Sequence, residues 1–267
     1  MGFPLTVALT EEHIRAQSAT QVHPLGTKGV TRDGRTFRYA QAGAAISIGR
    51  VLQARAPSTN WSDDNNFNTG YAIGTTKVTI HIVSTAAHSS EGTTNYFKDG
   101  YLMVNHGTGL GAMSQIYKQG GWDTATASGL KSTVHIRGGL KAAVTSGTEV
   151  GFILNPYKKV VMAPKAQTNA VVGVSPIAVV VATPYFWMQT GGTAAVRFGG
   201  TGIIGRAAKF DAGTNTGYIT AASSDMGFIG SSFSSELKLA YSMPELGDIM
   251  EVGANGEVGI VRLKLDS

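Results

Sequence analysis

The residues with the types and spacing to do chemistry are few, and each fails on its surroundings. Gly200-Thr201-Gly202-Ile203-Ile204-Gly205 has the glycine spacing of a dinucleotide fingerprint and follows a plausible strand at Ala194–Phe198. Such a fingerprint must open a helix whose N-terminus holds the pyrophosphate. Here Gly213, Asn215 and Gly217 follow too soon for that helix, and a strand turn is the expectation. Gly107-Thr108-Gly109-Leu110-Gly111 has the wrong spacing for a phosphate loop and no accompanying lysine. The six histidines, at 13, 23, 81, 88, 106 and 135, form no paired-ligand motif, and there is no cysteine to complete a zinc site. Asp63-Asp64-Asn65-Asn66-Phe67-Asn68 is rich in oxygen ligands, yet Thr69 stands where a calcium loop needs glycine and Thr75 where it needs a bidentate glutamate. Single carboxylates such as Asp99 and Glu149 have no partner marked as acid or base, and no nucleophile elbow occurs. Asn60-Trp61-Ser62 matches a glycosylation acceptor without a secretory signal to give it use. The expectation is a non-enzymatic chain with no cofactor and no metal.

The elements that would position any site are strands. Lys77–Val83 alternates strictly, with Val78, Ile80 and Ile82 on one face and Lys77, Thr79 and His81 on the other, the pattern of a half-buried strand. Gly29–Tyr39 reads as two short strands joined by Asp33-Gly34, a pair that tolerates the positive φ of a tight hairpin, with Phe37 and Tyr39 sharing one face. Further strands are expected at residues 101–105, 133–136, 149–154, 159–163, 177–183, 185–189 and 257–265. Tyr185-Phe186-Trp187-Met188 is apolar on both faces, so both must be covered, by core or by a subunit interface. Thr10 followed by Glu11-Glu12-His13 is an N-cap before acidic first-turn residues, giving either a short helix or an extended arm. Phe37–Gln53 is echoed at Phe186–Arg206 through Gln41/Gln189 and Ile48-Gly49-Arg50/Ile204-Gly205-Arg206, which raises the duplication of one β unit as a hypothesis.

Composition agrees with contact rather than catalysis. Of 267 residues 35 are glycine, about twice the usual share, without a collagen period. Charged residues make up 15%, well below the roughly 25% of ordinary soluble domains, so the surface is largely neutral. The net charge of +5 is spread out, its densest clusters being Arg32, Arg35 and Arg38, then Lys158, Lys159 and Lys165. Neither is a polybasic tract, and no direct nucleic-acid contact is expected. The first residues lack the charged and apolar regions of a secretory signal, and Pro176 and Pro184 interrupt the longest apolar run. Synthesis in the cytoplasm and no membrane contact are the expectation.

Several strings together resemble the decoration, or cement, proteins of tailed bacteriophages. Leu25–Ala44 is similar to their GxxG…DGRxFRYxxAG opening. Asn155-Pro156-Tyr157, Tyr185-Phe186-Trp187-Met188-Gln189-Thr190 and the closing Gly253–Leu263 also match. The resemblance implies a virion protein on the outer capsid surface, binding the major capsid protein at symmetry junctions as a homotrimer and stabilising the shell against internal DNA pressure. The segment Trp61–Gly129 has no counterpart in it.

The fold expected is all-β: β-sandwich or barrel-like lobes with an extended N-terminal arm. The arm is placed at 1–24, a first lobe at 25–165 with a possible inserted region at 61–129, and a second lobe at 166–267, one continuous domain being the alternative. The interface residues are Arg32, Arg35, Arg38, Phe37, Tyr39 and Trp187. A rival function is a phage tail or head-fibre module binding host carbohydrate through Trp61–Asn68 and Trp122-Asp123.

Overall fold

The computed structural model describes residues 6–56, 65–82, 93–121, 130–164, 168–200, 202–210, 216–221 and 245–266. The fold is nearly all β. Strands β1 (Thr6–Leu9), β2 (Lys28–Thr31), β3 (Thr36–Gln41) and β4 (Val51–Gln53) come first, with one short helix, α1 (Glu11–Arg15), after β1. Next come β5 (Asn65–Phe67), β6 (Lys77–Ile82), β7 (Tyr101–His106), β8 (Met113–Gln119), β9 (Leu130–Ile136) and β10 (Glu149–Ile153). The chain closes with β11 (Val161–Met162), β12 (Val171–Val174), β13 (Tyr185–Arg197), β14 (Ala207–Phe210), β15 (Ile219–Ala221), β16 (Glu245–Glu251) and β17 (Val258–Lys264).

The chain divides into two compact units, and the division is not the sequential one expected at 165/166. Ala56–Pro156 forms one unit, and Met1–Arg55 with Tyr157–Ser267 forms the other. The physical reason is strand pairing. β4 pairs antiparallel with both β11 and β12, so residues before the insertion are built into the same sheet as residues after it.

The inserted unit is a closed six-stranded barrel in the order β10-β5-β6-β9-β8-β7, sealed by the β10–β7 ladder. Closure leaves no open edge, the usual remedy for an isolated sheet of short strands. Alternation fills the interior with Phe67, Val78, Ile80, Leu102, Val104, Ile116, Val134, Ile136, Val150 and Phe152. Gly107, Gly109 and Gly111 all take positive φ in the β7–β8 connection, so this glycine run is turn chemistry.

Among the described residues the second unit holds eleven strands, with the main path β1-β2-β3-β13-β17-β16-β14-β15. The Asp33-Gly34 hairpin forms as expected, with Gly34 at φ +84° and Phe37 paired with Gly29. β13 is its spine, pairing with β3 along Tyr185–Gly191 and with β17 along Gly191–Arg197. A bulge between Gln189 and Gly191 separates the two stretches. The Gln189 amide donates to the carbonyls of Gly191 and Thr193, and Gly192 takes φ +77°, which bends the strand without breaking it. β15 is tied back by the Phe198–Ile219 bridge.

The glycine fingerprint resolves as a turn entering strand β14, not a helix. Among the described residues, 177–183 pair with another strand segment through the single Val179–Ile46 bridge and then turn, with Val180 and Val181 exposed and the Gln17 amide group engaging Ala178, Val180 and Thr183. Ile48-Gly49-Arg50 and Ile204-Gly205-Arg206 each form a turn, with glycine φ of +72° and +80°, and each leads into a strand.

Candidate contact surface

The N-terminal segment is docked from Thr6 onward and does not stand free as an arm. β1 adds to β2 in parallel, Thr6 opposite Lys28 and Leu9 opposite Thr31. Thr10 then caps α1: its hydroxyl accepts from the His13 N–H, and the His13 ring nitrogen Nδ1 accepts from the Thr10 N–H. One turn of helix points Ile14 inward, where it is buried with Leu9, Leu25, Phe37, Tyr39 and Trp187. Gly29 makes the close approach possible, since a Cβ there would lie 2.4 Å from Leu9 Cδ1 and 2.9 Å from Trp187 Cζ3.

Three of the six residues expected at an interface are therefore core. Phe37 is fully buried, and Tyr39 and Trp187 are nearly so. They form an aromatic cluster with His23, whose ring lies 5.2 Å from Tyr39 and 5.4 Å from Trp187, with Tyr39 and Trp187 at 5.1 Å. Burial, and then the neighbouring His13, push the His23 pKa below its ordinary value. The Tyr39 hydroxyl accepts from the Val22 N–H, and burial raises its pKa.

The arginine cluster is also dispersed. Arg35 is held by Asp33 at 2.7 Å and by Glu11 of α1, fastening the helix to the hairpin. Arg38 forms a two-pronged pair with Asp266, Nε to Oδ2 at 2.6 Å and Nη2 to Oδ1 at 2.8 Å, and donates to the Gly26 carbonyl at 2.9 Å. The Arg38 guanidinium, foremost through its hydrogen bonds, holds the Asp266 carboxyl below the ordinary carboxylate value. Arg32 is exposed. Arg35 and Arg38 are thus consumed by separate carboxylate pairs, and Arg32 stands apart in the turn, so the three make no common basic patch.

Beside the Arg38–Asp266 pair lies an open groove of about 550 Å³, bordered by Thr36, Gly192, Asp248, Arg262, Lys264 and Asp266. Its lysine is spoken for by Asp248 at 2.9 Å, and its lining holds neither histidine nor serine that could serve as base or nucleophile. Among the described residues no three or more acidic or histidine side chains gather as metal ligands would. Glu149 has His106 at 3.7 Å, both well exposed, at the mouth of the barrel strands. Asp99 is buried in a turn whose carbonyl accepts from the Asn155 side chain. Trp61, Trp122, Asp63, Asp64, His88 and Lys165 lie outside the described residues.

What the second unit offers a partner is an edge. β1 ends the strand path, and no described strand pairs with its outer side. Thr6 and Ala8 are exposed while Leu9 is buried and Val7 packs half-buried against the same cluster, so one face anchors the strand and its outer backbone edge has no described strand partner. No helix among the described residues is long and apolar enough to cross a membrane. No protein-family model matches the chain, and no curated protein or solved structure matches it significantly.

Proposed function

We propose that the chain is a structural protein of a tailed-bacteriophage virion, a capsid decoration protein that binds the major capsid protein on the outer lattice at symmetry junctions and stabilises the shell against internal DNA pressure. It acts without catalysis and self-associates, as a homotrimer. The observation that carries the reading is the outer edge of β1, with which no described strand pairs, in a unit whose charged side chains at the groove and hairpin are largely consumed by internal pairs. An anchored edge strand accepts a neighbouring strand by main-chain hydrogen bonding, which suits many weak contacts repeated over a symmetric lattice. The string resemblance at Leu25–Ala44 and Tyr185–Thr190 supports the same reading, since those segments build β2, β3 and β13.

Mixing the purified chain with expanded, undecorated phage capsids and imaging by electron cryomicroscopy tests this. Ordered density at capsid symmetry positions is expected, and bare capsids at saturating protein would overturn it.

A further inference from the structure

Two arginines of the eleven-stranded unit lie near enough for their charges to interact, and neither is ion-paired to a carboxylate among the described residues. Arg50 follows the Ile48-Gly49 turn, and Arg197 ends β13. The Arg197 N–H donates to the Gly49 carbonyl at 2.9 Å, and its Cγ lies so near Gly49 that a Cβ there would approach it to 3.2 Å. The Arg50 guanidinium lies over the Tyr218 ring, 3.8 Å from its centroid, and Nη1 donates to the Thr216 carbonyl at 2.7 Å. Arg197 Nη1 reaches the Gly256 carbonyl at 3.4 Å. The Nε atoms of both are buried without a hydrogen-bond partner. Burial, and after a raising contribution from Tyr218 the nearby Arg197 charge, lower the Arg50 pKa from its ordinary value. Two half-buried like charges held together in this way have their electrostatic cost relieved by an anion.

The surroundings select the anion. Val258 stands directly opposite Arg197 in the β13–β17 ladder, shares its face, and is 45% exposed, as is Ile48. Arginine within an apolar rim is the composition of a protein contact. A guanidinium stacked on an aromatic ring keeps its edge donors in plane, the fork that fits a carboxylate. We propose that Arg50 and Arg197 together form a carboxylate-binding site that takes an aspartate or glutamate side chain presented, between apolar neighbours, by a protein partner.

The arginine Nε–Hε NMR signals of the isolated chain at low salt test this against four probes: a nonapeptide with one aspartate flanked by valine and leucine, its asparagine counterpart, sodium phosphate and a single-stranded oligonucleotide. The aspartate peptide is expected to shift the Arg50 and Arg197 signals saturably, with the asparagine peptide at least about tenfold weaker, the size of a charge-assisted hydrogen bond. Arg197→Gln is expected to lose the same factor. Arg50→Lys, which keeps the charge and removes the fork, is expected to weaken the aspartate peptide with the backbone amide spectrum otherwise unchanged. Unmoved signals, equal binding of the two peptides, or tighter binding of phosphate or oligonucleotide would each overturn the proposal. No capsid enters the experiment, so its failure and that of the decoration reading are separate results.

Discussion

Removing the charge of Asp266 isolates the clasp between the end of the chain and β3. Asp266 accepts two guanidinium hydrogen bonds from Arg38, at 2.6 and 2.8 Å, and a third from the Thr190 hydroxyl at 3.3 Å. The paired side chains are 25% and 21% exposed, too buried for a solvated surface pair and too wet for full low-dielectric strength. The lower part of the range for charged hydrogen bonds applies, about 2 kcal/mol for the clasp as a whole. For a unit of this size that is a fall in Tm of about 4–8 °C. The pH dependence follows from the depressed Asp266 pKa. The clasp contributes fully above the ordinary value of 3.8 and is lost as pH falls below it through the folded-state value. Calorimetry of the native chain, Asp266→Asn, Arg38→Met and the double variant, from pH 7 to pH 3, gives the coupling directly. The expected coupling is about 2 kcal/mol at pH 7, and the penalty of Asp266→Asn shrinks towards pH 3. A coupling under about 0.5 kcal/mol, or a penalty that is the same at both ends of the pH range, would refute the clasp.

Gly247→Ala is expected to cost about 3 kcal/mol or to abolish β16–β17 pairing, because a Cβ there would sit 1.9 Å from the Arg262 carbonyl oxygen at φ +150°; urea unfolding measures it. Phe37→Ala, at a fully buried position, lowers stability by about 3–5 kcal/mol, while capsid retention per folded molecule, read by co-sedimentation below the melting range, stays unchanged. His23 has a depressed pKa, so its contribution is complete above 6.5 and declines as pH falls from there through the folded value. Hydrogen-exchange protection factors at β1 and α1, taken relative to the intrinsic rate at each pH, are therefore expected to fall between pH 7.5 and pH 5 in the native chain and much less in His23→Phe.

The strands legible in the sequence are those whose two faces differ. β6 and β17 alternate cleanly, and the buried Val78, Ile80, Val261 and Leu263 are the residues that alternation picks out. The Asp33-Gly34 hairpin was legible because turn geometry is a local demand. β8 and β16 were not, since Met113-Ser114-Gln115-Ile116-Tyr117-Lys118-Gln119 and Glu245-Leu246-Gly247-Asp248-Ile249-Met250-Glu251 carry bulges that slip the alternation. The interface reading of Phe37, Tyr39 and Trp187 failed for a different reason. What covers an apolar face is a tertiary fact, and here the cover is Leu9 and Ile14 of the chain's own first residues. The same holds for Arg38, whose partner lies 228 residues away. Arg50 was visible only as part of a repeated Ile-Gly-Arg string, and nothing local ties it to Arg197.

The insertion also dictates an order of events in folding. Gln53 and Val161 are ladder partners, so joining β4 to β11 from an unfolded chain means closing a loop on the order of a hundred residues. The first and last barrel strands are likewise partners, with Asn66 opposite Glu149. Once the barrel closes, the loop left to close is reduced to short tethers on either side. Counted from Gln53 to Asn66 and from Glu149 to Val161, the loop is then about fourfold shorter, which lowers the closure cost by about 1.3 kcal/mol, or roughly ninefold in rate if closure limits the step. The middle of the chain is thus expected to fold ahead of its two ends, and the barrel serves the larger sheet as the clip that brings its halves together.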